Sequence, residues 1–103
     1  MAKLSFITDP TFKAVVAIPV PGKKPVDVEF TFKGRDRDEF QEYLKSTAGL
    51  TDTETLMLTI VGWELTNEFN EAAVELLGKK YPAGPRAIVN KYMSEISGVR
   101  LGN

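Results

Sequence analysis

The densest group of side chains able to do chemistry is acidic: Asp36, Asp38, Glu39 and Glu42 in the stretch GRDRDEFQEYLKS. Carboxylates converging on one point would hold a hard cation through oxygen ligands. Arg35 and Arg37 interleave with them, however, and Asp36 and Glu39 stand three apart, the spacing of a helix capping box. The pattern therefore predicts capping and exposed ion pairs rather than a metal site. Gly78-Lys79-Lys80 and Gly34-Arg35 share letters with phosphate-binding loops, but there is no G-x-x-x-x-G-K-[ST] and no strand feeding such a loop. Arg86, Lys91 and Arg100 can form a basic stripe on one helix, which without interleaved exposed aromatics reads as a solvated face. The chain has no histidine, so general acid–base work near neutral pH would fall to strongly shifted carboxylates, lysines or tyrosines. It has no cysteine, which excludes disulfides and thiolate metal sites and fits a reducing compartment. No catalytic residue, metal or cofactor is expected, and the protein is not read as an enzyme. One residue stands out for recognition: Trp63, the only tryptophan. It is either the plug of a small core between two helices or an anchor in an interface, where tryptophan is enriched.

Composition limits what can position these residues. A chain of 103 residues is one domain's worth, 1–103, with 43% hydrophobic and 26% charged content near the globular average. A formal net charge of −1 provides no global field for nucleic acid or an anionic membrane. The opening MAKLSFITDPTF has no apolar core suited to a secretory signal, and the longest apolar run is far short of the ~20 residues of a membrane span. A soluble protein is expected.

The elements follow from periodicity. Val26, Val28, Phe30 and Phe32 alternate with polar residues, and Phe12, Ala14, Val16 and Ile18 form a matching face upstream. Pro21-Gly22 between them suits a type II turn, so the two runs predict an antiparallel hairpin over about 12–33, its edge blunted by Pro19, Lys23, Lys24 and Pro25. A lone hairpin is marginal in water, so helices or another subunit must cover its apolar face. The helical part, about 36–98, begins with a helix from Arg37 to Ser46, capped by Asp36 and carrying Phe40, Tyr43 and Leu44. Thr51 and Glu54 repeat the capping spacing ahead of Leu56, Met57, Ile60, Val61 and Trp63, which recur at threes and fours. That periodicity favours a second helix over the buried strand that Thr59, Ile60 and Val61 would also suit. Asn70 caps a third helix with Ala73, Val74, Leu77 and Tyr81 on one face, Phe69 and Val74 at the positions of a hydrophobic staple, and Pro82 as its stop. Pro85 opens a fourth with Ile88, Val89, Tyr92, Met93 and Ile96 on one stripe, closed by Gly98 and followed by a short tail from Val99. The expected class is α+β: an N-terminal antiparallel β-hairpin followed by about four helices in one small domain.

The string also carries a resemblance. FTFKGRDRDEFQEYL, then IVGWELTNEFNEAAVELLGKKYP, then AIVNKYMSEI ending in RLGN resembles the tail assembly chaperones of long-tailed bacteriophages, from Val26 to Asn103. Its most specific piece is the G-W-[DE]-L-x-x-x-F block, Gly62 to Phe69, followed by the helix that ends in Tyr81-Pro82. Thr66 and Asn67 stand where relatives tend to be more acidic, so a contact made by acidic residues there is not carried over.

The resemblance implies a non-enzymatic protein made in the infected cell and absent from the finished tail. Such proteins bind the long, largely helical tape measure protein, keep it soluble and help recruit tail tube subunits around it. Members often occur in two lengths through a ribosomal frameshift, and this chain looks like the short form. The implied partners are tape measure and tail tube proteins, with no nucleic acid and no membrane, and the uncovered hairpin adds an expected homo-oligomer. Trp63 and Phe69 come from the matching block as candidate partner-binding residues, and the helical stripes add Leu77 and Tyr92, with Val74 and Ile88 beside them. Met57 and Met93 suit either core filling or a surface that accepts variable partners. Two rivals are weighed: a small structural tail or connector subunit retained in the virion, and a nucleic-acid-binding regulator built on the last two helices, against which the balanced charge argues.

Overall fold

The computed structural model describes residues 4–98, among which the chain forms three strands and four helices. Strands β1 (Thr11–Ile18) and β2 (Val26–Lys33) pair antiparallel, with Phe12 opposite Phe32 and Val16 opposite Val28. The turn is built as its residues require. The Lys23 N–H donates to the Val20 carbonyl at 3.0 Å around Pro21-Gly22, and Gly22 takes φ 75°, the left-handed region a type II turn demands at its third position. Alternation then sends Phe12, Ala14, Val16 and Ile18, with Val28, Phe30 and Phe32, to one face.

Helices α1 (Arg37–Thr47), α2 (Asp52–Thr59), α3 (Glu71–Lys80) and α4 (Gly84–Ser97) follow. The predicted caps are present. Asp36 and Glu39 close one capping box, Thr51 and Glu54 a second, and Asn70 Oδ1 accepts the Ala73 N–H at 2.8 Å. Pro85 lies in the first turn of α4, where its missing N–H costs nothing, and Gly98 ends that helix at φ 76°. Helices α2 and α4 lie over the sheet, and Val16, Ile18, Phe30, Phe32, Tyr43, Leu56, Ile60, Val74, Leu77, Ile88 and Tyr92 form one core. The tail from Val99, with Arg100, lies outside the described residues.

The second helix does not run on to Trp63. It ends at Thr59, and Ile60–Trp63 forms β3, pairing antiparallel with β2 so that the sheet order is β1-β2-β3. The consecutive β-branched residues Thr59, Ile60 and Val61, followed by Gly62, favour extended backbone over another helical turn. The register shows why the spacing pointed the other way. Ile60 lies opposite Phe32 and Trp63 opposite Phe30, with a bulge between. In a regular strand, residues three apart point to opposite faces. The extra residue of the bulge restores the phase, so Ile60 and Trp63 both face the core side at a spacing that imitates a helix.

Candidate functional site

The two ends of the hairpin carry different chemistry. At the end where β2 leaves the sheet, Arg35 turns inward. Its Nη1 donates to the Leu58 carbonyl at 2.8 Å and to the Tyr92 hydroxyl at 2.9 Å, and Tyr92 Oη donates to the Lys33 carbonyl at 2.8 Å. The guanidinium lies 4.6 Å from the centre of the Tyr43 ring, a cation–π distance. Thr59 Oγ1 donates to the Thr55 carbonyl at 2.7 Å, so it is left to accept from the Tyr43 hydroxyl, 2.6 Å away. Phe12, Phe32 and Tyr92 stack around this network, and Phe40 stacks on Tyr43. Burial pushes the Tyr43 and Tyr92 hydroxyls above the usual tyrosine value of 10.0, against the lowering effect of the Thr59 hydrogen bond on the first and of Arg35 on the second. Both are therefore neutral donors near pH 7, the reverse of what a general base requires. The Leu58 carbonyl belongs to the last turn of α2, which has no basic residue of its own, so Arg35 supplies the cation that this helix end favours. The result is a structural tie between β2, α1, α2 and α4.

The acidic group resolves as its spacing implies. Asp36 and Glu39 cap α1, and Asp38 pairs with Arg37 at 3.2 Å in the open. Among the described residues no three acidic side chains gather to hold a cation. On α4, Lys91 pairs with Glu95 at 3.4 Å and Arg86 is exposed, while Arg100 lies outside the described residues. No described helix is long and apolar enough to cross a membrane.

The turn end of the hairpin holds an apolar cleft of about 490 Å³. Ile18, Val20, Val26 and Val28 of the hairpin form one wall, and Ala73, Leu76 and Leu77 of α3 with Tyr81 at its C-cap form the other, with Lys80 at the rim. Trp63, Leu65 and Asn67 close the side between them. Val26 continues the apolar face of β2 but is 54% exposed, because α3 stands off from the sheet here. Leu76 and Tyr81 are also exposed at the cleft.

Trp63 packs against the core and also lines the cleft. It is half-buried on β3, with its ring edge-on to Phe30 at 6.4 Å and to Phe69 at 5.1 Å between centroids. Its Nε1–H donates to the Asn67 carbonyl at 2.9 Å, which fixes the indole plane and leaves the rest of the ring surface toward the cleft. Position 67 thus acts on Trp63 through its backbone, whatever its side chain. Phe69, half-buried just before the Asn70 cap, holds the indole in place and packs on the core rather than lining the cleft. Leu77 is buried and forms part of the cleft floor. Tyr92 is elsewhere: fully buried in the Arg35 network, it offers no surface to a partner. Its place on the same stripe as Ile88 made it look like a groove residue, but periodicity does not separate a core stripe from an open one. Val74 and Ile88 are likewise interior. Met57 packs on the core. Val20, Val26, Leu65 and Leu76 were missed as cleft residues. Val26 was read as part of the β2 core face, and for Val20, Leu65 and Leu76 the one sequence signal was an apolar residue outside the predicted core stripes.

A comparison with curated proteins found no match, and neither did one with solved structures. The family model described as phage tail assembly chaperone matches residues 1–103, from one end of the chain to the other. With a hairpin, four helices and an open apolar cleft beside the tryptophan of the block that carries the resemblance, the chain belongs to the phage tail assembly chaperone family.

Proposed function

We propose that this protein binds the tape measure protein during tail assembly, keeps it soluble and helps recruit tail tube subunits, and that the cleft beside Trp63 receives an apolar helical stripe of the tape measure. The observation that carries this reading is the cleft itself. It combines a large, oriented aromatic with aliphatic walls from two elements and a single charge at its rim, the composition of a groove that takes the apolar face of a helix. Membership of a chaperone family agrees with a binding role rather than catalysis. The protein then acts in the host cytoplasm and leaves before the virion is complete.

Co-expression of the tagged chain with the tape measure protein of the same genome tests the proposal. The tape measure is expected in the soluble fraction and on the tag, and Leu76→Asp, at a side chain 44% exposed on the cleft wall, is expected to return it to the pellet. A tape measure that stays soluble with the Leu76→Asp chain removes the cleft from the account. Mass spectrometry of purified virions should find the chain missing, and its presence in stoichiometric amount would make it a structural tail subunit instead.

A further inference from the structure

The cleft beside Trp63 has a direction. Ala73, Leu76, Leu77, Lys80 and Tyr81 recur at threes and fours, so they form one stripe, and the cleft runs along α3 for ~12 Å, about two turns. The helix itself crosses the sheet. Phe69, just before its start, meets Trp63 of β3 edge-on, whereas Tyr81 at its end lies near Ile18 of β1: a Cβ added at Gly84 would meet both, each at 3.7 Å. The cleft therefore has a Trp63 end and a Tyr81 end.

The two ends differ in charge. At the Tyr81 end, Lys80 is the only charged side chain lining the cleft, and it makes no ion pair among the described residues. Its neighbour Lys79 stands about 100° further round the helix, where it pairs with Glu75 at 3.9 Å. At the Trp63 end, the exposed Glu68 flanks Asn67, and no Lys or Arg occurs from Gly62 to Gly78. Such a cleft distinguishes the two directions of a helix laid in it, because helices favour acidic residues in the first turn and basic residues in the last. Antiparallel to α3, the acidic first turn meets Lys80 and the basic last turn meets Glu68. Parallel to α3, like charges meet at both ends.

We infer that the partner helix lies antiparallel to α3, with an acidic first turn against Lys80 and its apolar stripe on Trp63. This rests on the reading of the cleft as a groove for a tape measure helix and adds the polarity and the charge that the groove selects. The segment it fits is an apolar stripe that opens on Asp or Glu and closes on Lys or Arg.

A helical peptide of about 18 residues, five turns, serves as the probe, with one leucine stripe, glutamates in its first turn, lysines in its last and no tryptophan. A lactam bridge on its far face holds it helical. The chain has no cysteine, so polarity is read by disulfide trapping. Asn67→Cys, exposed at the Trp63 end, is mixed under mild oxidation with the peptide carrying a cysteine in its last turn or, separately, in its first. The last-turn peptide is expected to be trapped several-fold faster. Charge is read from Trp63 emission with the cysteine-free peptide. Lys80→Glu should weaken binding by about 3- to 10-fold at low salt and by much less at about 1 M, where the screening length is ~3 Å. Lys79→Glu, the same charge change on the far side of the helix, should cost less than Lys80→Glu. Equal trapping, faster trapping of the first-turn peptide, or a Lys80→Glu loss no larger than that of Lys79→Glu would each overturn the inference while leaving the cleft a binding site. An emission that the peptide does not shift would instead remove the helix groove itself, and the polarity with it.

Discussion

Two clefts of equal size, each about 490 Å³, lie at the two ends of the same hairpin, and they differ in what their aromatics are doing. At the Gly34 end, Tyr43 and Tyr92 are buried and their hydroxyls are bonded to Thr59, Arg35 and the Lys33 carbonyl. At the Gly22 end, Trp63 has its one polar atom bonded to the Asn67 carbonyl and is partly buried, part of it lining the cleft. The first arrangement uses aromatic residues to lock elements together, and the second uses one to present apolar surface. Cavity size alone does not distinguish them. The partners of the polar atoms and the exposure of the rings do.

The comparison predicts unequal responses to substitution. The largest effect is expected from Tyr92→Ala, which opens a cavity in the core and removes two hydrogen-bond partners, and should cost about 3–5 kcal/mol in urea unfolding. A loss below about 1 kcal/mol would mean that the Arg35 network does not hold the elements together. Next comes Gly34→Ala. The new methyl would meet the backbone of Asp9, which cannot rotate away as a side chain would, so about 1–3 kcal/mol is expected by the same measurement.

A pH titration of stability separates the ends without substitution. Because the folded-state values of Tyr43 and Tyr92 are raised, their contribution is fully present below the unfolded value of 10.0 and is lost as pH rises through the higher folded values. The melting temperature should fall on the alkaline side, and the double variant Tyr43→Phe with Tyr92→Phe should start lower but fall less steeply there. Parallel curves for the two proteins would contradict the burial of these hydroxyls. The smallest effect is expected at the other cleft: Leu76→Asp should change stability by no more than about 0.5 kcal/mol, since it touches an exposed side chain on a helix already folded around Val74 and Leu77.

Much of the fold was legible in local chemistry. The alternation in TFKAVVAI and VDVEFTFK, the Pro-Gly turn and the three N-caps all appear as written, because each depends on residues within a few positions of one another. The strand β3 was not legible as a strand. Its bulge places Ile60 and Trp63 on one face at a helical spacing, and only the register with β2 reveals it. The inward turn of Arg35 was hidden for a similar reason, since its partners Leu58 and Tyr92 are 23 and 57 residues away and nothing in GRDRDEF distinguishes it from the exposed Arg37. Of the four residues read as candidates for partner binding, Trp63 and Leu77 line the cleft, Phe69 packs beside it, and Tyr92 sits on a stripe that the core uses in full. The residues that were missed, Val20, Val26, Leu65 and Leu76, become a surface only through the gap between the hairpin and α3.

The central claim is that the Trp63 cleft is where the partner sits, and the single tryptophan reports on it directly. The most decisive measurement is the fluorescence emission of Trp63 as a tryptophan-free apolar helical segment of the tape measure is added. Filling the cleft should move the emission to shorter wavelength, saturably, and Leu76→Asp should abolish the shift. A segment that co-purifies with the chain yet leaves the emission of Trp63 unchanged would contradict the account and place the binding surface elsewhere.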